Sequence, residues 1–592
     1  MRTKLLLPVA ALCLFGMSAS GATYYVDPVN GNDAADGGKE AAWQTFAPLN
    51  ARTLQAGDTV VVSPGKLTVS LAPKGNGTAK APVRILFRAG TYEWMPEGLE
   101  HRCLAISNTS DRLEDPKAIA MELVGLKHYR IGGESGQNAH FFCRGKMVEI
   151  HMEECEHMRL SDFTYDYVRP TVSEYTAEDV TDTYADISIH KDSLYSVRRG
   201  HLTWVGEGWT LEAGEGWAQT VSADGSFVRR GGPTLGQGRV EELSPGHVRL
   251  HYNQNPGFKK GIRYQHRAYT RDCCGVFCDR SADISYRNVT FHFMHGMGIV
   301  SQFSRDLSFR NLRVLPRRNS GRTSAAWADV MHFSGCYGQI RVEDSLLTSA
   351  NDDAINIHGT HLRLVKKLDD RRIRVRFMHK QTYGFHAFRP GDEVQFTSAE
   401  NLLPLSAENG RVVASSLSGD GRDMDLTLEA PLPETAEVDR TVLENVTATP
   451  AVTVRNTRVR MITTRGFLLT SRRPILIENC HFDRTGMPAL LMEDDANYWY
   501  ESGPVHDMTV RGCTFEHCAE PVISFNPQVQ NDAGPVHRHI RVLNNRFLLD
   551  KGHFLSAKWV SDLQAKGNRF VLPKGVEAKA TQQNSEHILL QQ

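Results

Sequence analysis

The stretch Asn288-Val289-Thr290-Phe291 returns 23 residues later as Asn311-Leu312-Arg313-Val314. Each copy of this pattern places an Asn, Asp or Gly beside alternating apolar or aromatic residues. The further copies start at Asp344, Asn456, Asn479, Gly512, Asn545 and Asn568. Coils of about 23 residues that are rich in strand-forming residues predict a parallel β-helix, in which each coil pairs with the next. The chain is therefore expected to be all-β.

Two stretches interrupt the repeat. Residues 176–265 contain hairpin turns such as Asp224-Gly225, and residues 361–440 alternate apolar and polar residues between turns such as Pro390-Gly391. Each stretch predicts an inserted antiparallel β-barrel-like domain. The expected division of the chain is a signal peptide at 1–22, an N-terminal cap with the first β-helix coils at 23–175, a first insert at 176–265, the coils with the candidate catalytic residues at 266–360, a second insert at 361–440 and the C-terminal coils at 441–592.

The N-terminus has the three parts of a secretory signal peptide. Arg2 and Lys4 precede the apolar run from Leu5 to Met17, and Ser20 and Ala22 form a cleavage pair. The run is too short to cross a bilayer, and no second apolar run reaches membrane length. The sequence predicts an exported protein without a membrane span, either periplasmic or secreted.

Composition narrows the functional class. The 68 basic residues balance the 68 acidic residues, so the formal net charge is zero. A nucleic-acid-binding protein needs a basic excess on at least one face, and we therefore expect no nucleic-acid partner. The cysteines after Cys13 show no pair with zinc-knuckle spacing, so we predict no metal site and no cofactor. Their spacing leaves open whether they form disulfides or buried thiols.

Three carboxylates come together when two coils are overlaid. The stretch from Trp327 to Gly335 aligns with the stretch from Asn351 to Gly359 at an offset of 24 residues. Because adjacent coils are one strand spacing apart, Asp329 is expected to lie over Asp353, with Asp352 beside it. Like charges this close raise one another's pKa, which is typical of a calcium site or of catalytic acid and base groups. We predict that Asp329, Asp352 and Asp353 are catalytic.

The surrounding residues predict a groove for a carbohydrate. Later coils contain stretches of the same shape, which bring three further polar side chains near the column of His358. Polar and aromatic groups along a groove without net charge suit a neutral sugar, which needs many hydrogen bonds and an aromatic platform. The predicted substrate-binding residues are Trp327, His332, Asn356, His358, Arg472, Glu493 and Asn526.

Six stretches of the chain together carry a family resemblance. They are Ile106-Ser107-Asn108-Thr109, Asp166-Tyr167-Val168-Arg169-Pro170 followed by Glu174, Ala328-Asp329-Val330-Met331-His332, Asn351-Asp352-Asp353-Ala354, Arg465-Gly466-Phe467 and Glu501-Ser502-Gly503. With these stretches the chain resembles glycoside hydrolase family 110, the exported bacterial α-1,3-galactosidases, over most of its mature length. The resemblance implies a right-handed β-helix with inserted β-barrel domains. It also implies removal of terminal α-1,3-linked galactose, as on the blood group B antigen, with inversion at the anomeric carbon.

The resemblance assigns roles to the three aspartates. Carried over, Asp329 is the general acid, and Asp352 and Asp353 position and activate the attacking water. An inverting glycosidase holds its acid and base roughly 6.5–9.5 Å apart, which leaves room for that water. Carboxylates that project from adjacent coils on opposite sides of a sugar are expected to meet this distance.

Other functions fit parts of the pattern. Asp352-Asp353 followed by His358-Gly359 is also similar to the polygalacturonases of glycoside hydrolase family 28, although a polyanionic substrate would favour a basic groove. A β-helix polysaccharide lyase would need a Lys or Arg base beside a calcium-binding acid cluster. A non-catalytic β-helix protein that binds glycans would release no sugar. Whether the inserts support a homo-oligomer stays open.

Overall fold

The computed structural model of the protein describes residues 21–591 except 110, 111, 135, 137, 223 and 237. The predicted signal peptide lies outside the described residues apart from its last two positions. None of the helices in the described part is long and apolar enough to cross a membrane. The helix Ala47–Ala51 lies near the start of the chain, and the structure is otherwise built from strands. The all-β prediction is confirmed.

Two sheets form the walls of the β-helix. A 23-stranded sheet runs from Thr23–Val26 to Glu586–Gln591, and its neighbouring strands are parallel. A 13-stranded, mostly parallel sheet carries the candidate site. Its strands are Glu100–Arg102, Lys117–Val124, Val148–Glu153, Val276–Asp279, Ile299–Gln302, Met331–Ser334, Ile355–Thr360, Phe467–Leu469, Pro488–Met492, Glu501–Ser502, Ala519–Phe525, His553–Lys558 and Lys579–Gln583. The predicted parallel β-helix is confirmed.

Asparagines at the turns explain why the repeat gives this fold. Asn288 and Asn311 have backbone φ values of 55° and 52°, in the left-handed region that Asn tolerates better than other non-glycine residues. The side chain of Asn311 donates to that of Asn288 over 2.9 Å, and Asn545 donates to Asn568 over 3.1 Å. Each pair links the same turn of two successive coils. The spacing of 23 residues is therefore the length of one coil.

Aromatic residues of the repeat fill the interior. Phe482, Phe515 and Phe547 are fully buried, and their rings stack along the axis with centroids 5.0 and 4.9 Å apart. Burying a side chain of this size contributes about 1.5–3 kcal/mol to the stability of the fold. The cysteines after Cys13 are free thiols, and all except Cys103 are buried, which settles the question that their spacing left open.

The two interruptions are antiparallel β domains. The first contains a seven-stranded and a three-stranded sheet, built from Ser173–Val180, Tyr184–Ile189, Trp217–Ser222, Val228–Arg229, Arg239–Ser244, His247–His251 and Ile262–Arg267, and from Leu194–Arg198, His201–Val205 and Thr210–Glu212. The second is a closed barrel of Leu362–Lys367, Arg372–Arg376, Glu393–Ser398, Gly410–Leu417, Asp423–Leu428 and Thr441–Asn445. The second insert directly follows Ile355–Thr360, the strand after Asp352 and Asp353, whereas the first insert ends two coils before the coil of Asp329.

Candidate active site

The two coils that carry the three aspartates lie in the register that the sequence predicts. Met331–Ser334 pairs in parallel with Ile355–Thr360 at an offset of 24 residues. The backbone N–H of Asp353 donates to Oδ1 of Asp329 over 3.2 Å, just before these strands begin. Asp329 and Asp353 therefore occupy matching positions on adjacent coils.

The three carboxylates converge more closely than expected. Asp329, Asp352 and Asp353 each offer an oxygen within 4.8 Å of the other two, and all three residues are buried. These nearest oxygens are closer together than the 6.5–9.5 Å expected between the acid and base groups as a whole. The physical reason is the stacking of the coils, because the side chains project from the same edge of two neighbouring coils and not from opposite sides of a cleft.

Arginines hold the two adjacent aspartates in place. Arg271 Nη2 donates to Oδ2 of Asp352 over 2.6 Å, and Arg465 Nη2 donates to Oδ2 of Asp353 over 2.6 Å. Arg267 adds a third guanidinium group 3.8 Å from Asp352. These positive charges offset the repulsion between the carboxylates and explain how three acidic groups share one buried site.

The surroundings separate the pKa values of the aspartates. Burial, together with the negative charge of Asp352, raises the pKa of Asp329 to about 7. Burial acts on Asp352 as well, but the positive charges of Arg271 and Arg465 outweigh it and hold the pKa of Asp352 far below its usual value. Burial also raises the pKa of Asp353, against the charge of Arg465. Asp329 is suited to donate a proton near neutral pH, whereas Asp352 stays ionised.

The aspartates form the floor of a pocket of about 550 Å³ with an aromatic rim. Trp217 of the first insert meets Tyr269 edge to face, with ring centroids 5.5 Å apart. Trp499 lies 5.4 Å from the guanidinium carbon of Arg271. The second insert contributes Gln381 to the lining. Because both inserts and a C-terminal loop bound it, the site is a pocket and not an open groove.

Two of the seven predicted substrate-binding residues, Asn356 and Glu493, line this pocket. Burial raises the pKa of Glu493 to about 6. Oδ1 of Asn356 is buried and accepts no hydrogen bond from the described residues. The other five predicted residues do not line the pocket.

Arg472 and Asn526 lie away from the pocket. Arg472 pairs with Glu444 of the second insert and donates to Oε1 of Gln395 over 2.7 Å. Asn526 accepts a hydrogen bond from Lys558 over 2.9 Å. Ile357 pairs with Leu469, so the next residue along, Thr470, is the one that aligns with His358 on the neighbouring coil. Arg472, which was predicted to lie near that column, is two residues beyond it.

Trp327, His332 and His358 lie behind the floor of the pocket. All three are buried. The guanidinium carbon of Arg267 lies 4.2 Å from the ring centroid of Trp327. Trp327 therefore supports the site indirectly, through this cation–π contact. His332 Nδ1 lies 2.9 Å from Oδ2 of Asp329. These side chains contact the groups that line the pocket and not the space within it.

Several residues that line the pocket are not marked by any motif in the sequence around them. Arg271 follows the last strand of the first insert, and nothing in its neighbourhood distinguishes it from a surface arginine. Asn108 and Glu501 belong to the stretches that carry the family resemblance. Nδ2 of Asn108 donates to Oε1 of Glu501 over 2.7 Å, although 393 positions separate them. Contacts over such sequence distances are decided by the fold.

Sequence comparisons place this architecture among known proteins. Residues 173–262 match the family described as GLAA-B beta-barrel domain I, and residues 372–442 match GLAA-B beta-barrel domain II. Alpha-1,3-galactosidase A of Akkermansia muciniphila is 40% identical over 93% of this chain and 92% of its own length. The proteins of the same name from Bacteroides thetaiotaomicron and Bacteroides fragilis strain YCH46 are each 34% identical, over 84% and 81% of this chain and 88% and 80% of their own.

Proposed function

The chain belongs to the family of the alpha-1,3-galactosidase A proteins, and on that premise we propose that it hydrolyses terminal α-1,3-linked galactose from glycans with inversion at the anomeric carbon. The observation that carries the proposal is a buried carboxyl with a raised pKa, Asp329, facing two arginine-bound carboxylates across the floor of a pocket. Glycoside hydrolysis needs this combination of one protonated acid and one ionised carboxylate.

Each aspartate has a role in this proposal. Asp329 gives its proton to the glycosidic oxygen as the bond to the anomeric carbon breaks. Asp352, which the arginines keep ionised, accepts a proton from the attacking water. Asp353 holds the same water as a second acceptor, while its own Oδ1 accepts the hydroxyl of Thr464 over 2.8 Å. Inversion is proposed on the family resemblance, in which one aspartate, Asp329, is the acid and the pair Asp352 and Asp353 positions and activates the attacking water.

The rim supports a carbohydrate substrate with a terminal sugar. Trp217 and Tyr498 lie at the mouth of the polar pocket and are 43% and 72% exposed, which is unusually high for aromatic side chains. Such rings pack against the apolar face of a sugar, while polar groups below bind its hydroxyls. A pocket closed by two inserts favours removal of an end unit over cleavage within a chain. The blood group B antigen, which ends in α-1,3-linked galactose, is the proposed type of substrate.

The test is hydrolysis of linear and fucosylated α-1,3-galactosides, followed by proton NMR of the released sugar. We expect free galactose that appears first as the β-anomer and then mutarotates. Initial α-galactose would contradict inversion but keep the galactosidase. Release of galacturonic acid from pectin, without release of galactose, would contradict the proposed substrate class.

Chelation of divalent cations is expected to leave the activity unchanged. Among the described residues, Asp329, Asp352 and Asp353 are spaced so that they could hold a metal ion. However, Arg271 and Arg465 already bind two of the three carboxylates and supply the positive charge that a cation would bring. We expect the rate of galactose release to change by less than about twofold after dialysis against EDTA. A loss that added calcium restores would contradict this prediction.

We also propose that the protein is exported. The support is the three-part N-terminus, with Arg2 and Lys4 ahead of an apolar run and a small-residue cleavage pair. An alkaline-phosphatase fusion to residues 1–30 would test this proposal, since the fusion is active only after export. An inactive fusion that accumulates in the cytoplasm would contradict it.

A further inference from the structure

A band of solvent-facing arginines lies on the 23-stranded sheet, whereas the pocket lies along the 13-stranded sheet. Six neighbouring parallel strands each contribute one arginine to this band. The strands are Val83–Phe87, Lys127–Gly133, Glu156–Tyr167, Ala282–Phe291, Arg305–Val314 and Tyr337–Glu343. The six residues, which we call the arginine belt, are Arg84, Arg130, Arg159, Arg287, Arg310 and Arg341. All are exposed except Arg159, which is half-buried.

The register of the strands places these arginines side by side. Arg130 pairs directly with Arg84 on one neighbouring strand and with Arg159 on the other. Arg287 pairs with Arg310 in the same way. Paired positions on neighbouring strands are about 4.8 Å apart, so the belt spans about 24 Å and its charges lie close together.

Diagonal steps join the members of the belt that do not pair directly. Arg287 pairs with Ser161, which lies two residues after Arg159 on the same face. A second such step leads to Arg341, which pairs with Ser308 on the preceding strand. The whole first insert separates Arg159 from Arg287 in the sequence, so the belt becomes continuous only in the folded protein.

Five of the six arginines have no acidic partner. The exception is Arg310, whose Nε donates to Oδ2 of Asp344 over 3.2 Å. No carboxylate of the described residues lies within 4.0 Å of the other five guanidinium groups. Asp162, at a nearby turn, accepts the side chain of Asn288 over 2.7 Å. In the two rows of outward-facing positions that contain the belt, Glu343 is the one acidic residue.

The charges of the belt act on one another. Burial, and next the charges of Arg287 and Arg130, hold the pKa of Arg159 below its usual value, against the opposing charge of Asp162. The belt is therefore a local excess of positive charge, although the whole chain has no net charge. Repulsion of this kind is relieved when an anionic partner binds.

The chemistry and spacing of the belt suit a charged polysaccharide. Arg287, Arg310 and Arg341 line a shallow groove together with Ser308 and Gln339. Guanidinium groups bind carboxylates through paired hydrogen bonds, and the hydroxyl and amide groups between them can bind sugar hydroxyls. The strand spacing of about 4.8 Å is close to the length of one sugar residue in an extended chain. A polyuronate presents its carboxylates at that interval.

Other polyanions match the belt less well. The two rows of outward-facing positions contain no aromatic side chain. Single-stranded nucleic acids bind largely by stacking on such side chains, and peripheral membrane proteins use them to enter the lipid interface. The phosphates of a DNA strand recur about every 3.4 Å, which is closer than the arginines.

We propose that the arginine belt binds an acidic polysaccharide of the polyuronate type, which lies across the strands with its carboxylates against the guanidinium groups. The interaction goes beyond the proposed hydrolysis of galactosides and involves no covalent step. Because the belt and the pocket belong to different sheets, a bound polyuronate leaves the pocket free to act on galactose at the ends of other chains.

The test is calorimetric titration with polygalacturonate at about 50 mM salt, with dextran as an uncharged polymer. We expect polygalacturonate to bind, with an affinity that falls as the salt concentration rises, and dextran not to bind. Combining Arg84→Gln, Arg130→Gln and Arg287→Gln should lower the affinity about tenfold or more. The melting temperature of this triple variant should be no lower than that of wild type, because the changes remove repulsion between like charges.

The matched control combines Arg455→Gln, Arg511→Gln and Arg541→Gln. These arginines lie on the same sheet, and their loss removes the same number of charges, but each has an acidic neighbour. Arg455 and Arg511 both pair with Glu478, over 2.8 and 2.6 Å, and Arg541 lies 4.0 Å from Asp562. We expect the affinity for polygalacturonate to change less than about threefold. Equal losses in both triple variants would overturn the proposal, since binding would then follow the total charge alone.

The outcomes separate the belt from the proposed function. Release of galactose by the Arg84, Arg130 and Arg287 variant should stay within about twofold of wild type, because none of these residues lines the pocket. A wild-type protein that binds polygalacturonate but hydrolyses no galactoside would contradict the proposed function and support the belt. An active enzyme that does not bind polygalacturonate, or that binds a DNA duplex more tightly at the same salt concentration, would overturn the proposed partner.

Discussion

Asp329→Asn is expected to lower kcat on an α-1,3-linked galactoside by about 10²–10⁴-fold, which is the range that a general acid contributes. The variant should still fold, because the amide imitates the protonated carboxyl. Its oxygen can accept the N–H of Asp353, and its nitrogen can donate to Nδ1 of His332. The variant removes the transferable proton and little else.

The measurements are kcat/KM as a function of pH and the binding of galactose by calorimetry. In the wild-type enzyme, kcat/KM is expected to fall as the pH rises above about 7, because Asp329 acts in its protonated form and its pKa is about 7. In Asp329→Asn, galactose binding should stay within about threefold of wild type. Near-wild-type turnover in this variant would show that another group is the acid.

The matched control is Asp344→Asn. Asp344 lies at a turn of the opposite wall, where its Oδ1 accepts the side chain of Asn456 over 3.1 Å. It has a φ of 53°, and Asn tolerates this conformation as well as Asp does. We expect less than a twofold effect on activity, within the ordinary effect of a surface substitution. Comparing the two variants separates the effect of losing the carboxyl of Asp329 from the general effect of removing any one carboxyl.

Arg322→Met is expected to destabilise the protein by about 3–5 kcal/mol, the typical cost of removing one partner of a buried ion pair. Arg322 Nη1 donates to Asp166 over 2.7 Å, and its Nε donates to Asp192 over 2.7 Å. The side chains of Arg322 and Asp166 are each only 2% exposed. Without the guanidinium group, buried Asp166 keeps only Arg317, whose Nε lies 3.1 Å from its Oδ2, and the first insert loses one of its links to the segment that leads to Asp329.

Urea unfolding followed by tryptophan fluorescence measures this loss. Combining Arg322→Met with Asp166→Asn should recover part of the stability, because the second change removes the buried charge that only Arg317 still faces. Arg169→Met is the control, since Arg169 links the same regions through an exposed contact with the carbonyl of Lys191, and it should change the stability by less than about 0.5 kcal/mol. An Arg322→Met protein within about 1 kcal/mol of wild type would contradict the structural role of this pair.

The same contacts explain one stretch of the family resemblance that had no evident function, Asp166 to Pro170 followed by Glu174. Both carboxylate oxygens of Glu174 accept hydrogen bonds from the segment 323–324, including the N–H of Thr323 at 2.8 Å. Asp166 and Glu174 thus fix the first insert against the segment that leads to Trp327. Neither Asp166 nor Glu174 is among the residues that line the pocket.

Much of the fold could be predicted, because the β-helix is specified by residues that are close together in the sequence. The turn asparagines Asn288 and Asn311 recur at the length of one coil, and alternating apolar residues point to the interior. The same periodicity is sufficient to place Asp329 over Asp353. Arg472 lies beyond the strand Phe467–Leu469, in a loop where the spacing of the coil does not set the position of a side chain.

The sequence by itself determined the solenoid, its two interruptions and the three stacked aspartates, because each of these follows from the spacing of residues along one coil or between two adjacent coils. Only the tertiary structure decided what surrounds the aspartates. Arg271 and the aromatic rim come from an insert boundary and a distant loop, and Asn108 reaches Glu501 across 393 positions. The tertiary structure also places His332 and His358, which were predicted to bind the sugar, in a row of hydrogen-bonded side chains behind Asp329. Burial and hydrogen-bond partners are set by packing in three dimensions and leave no periodic signal in the sequence.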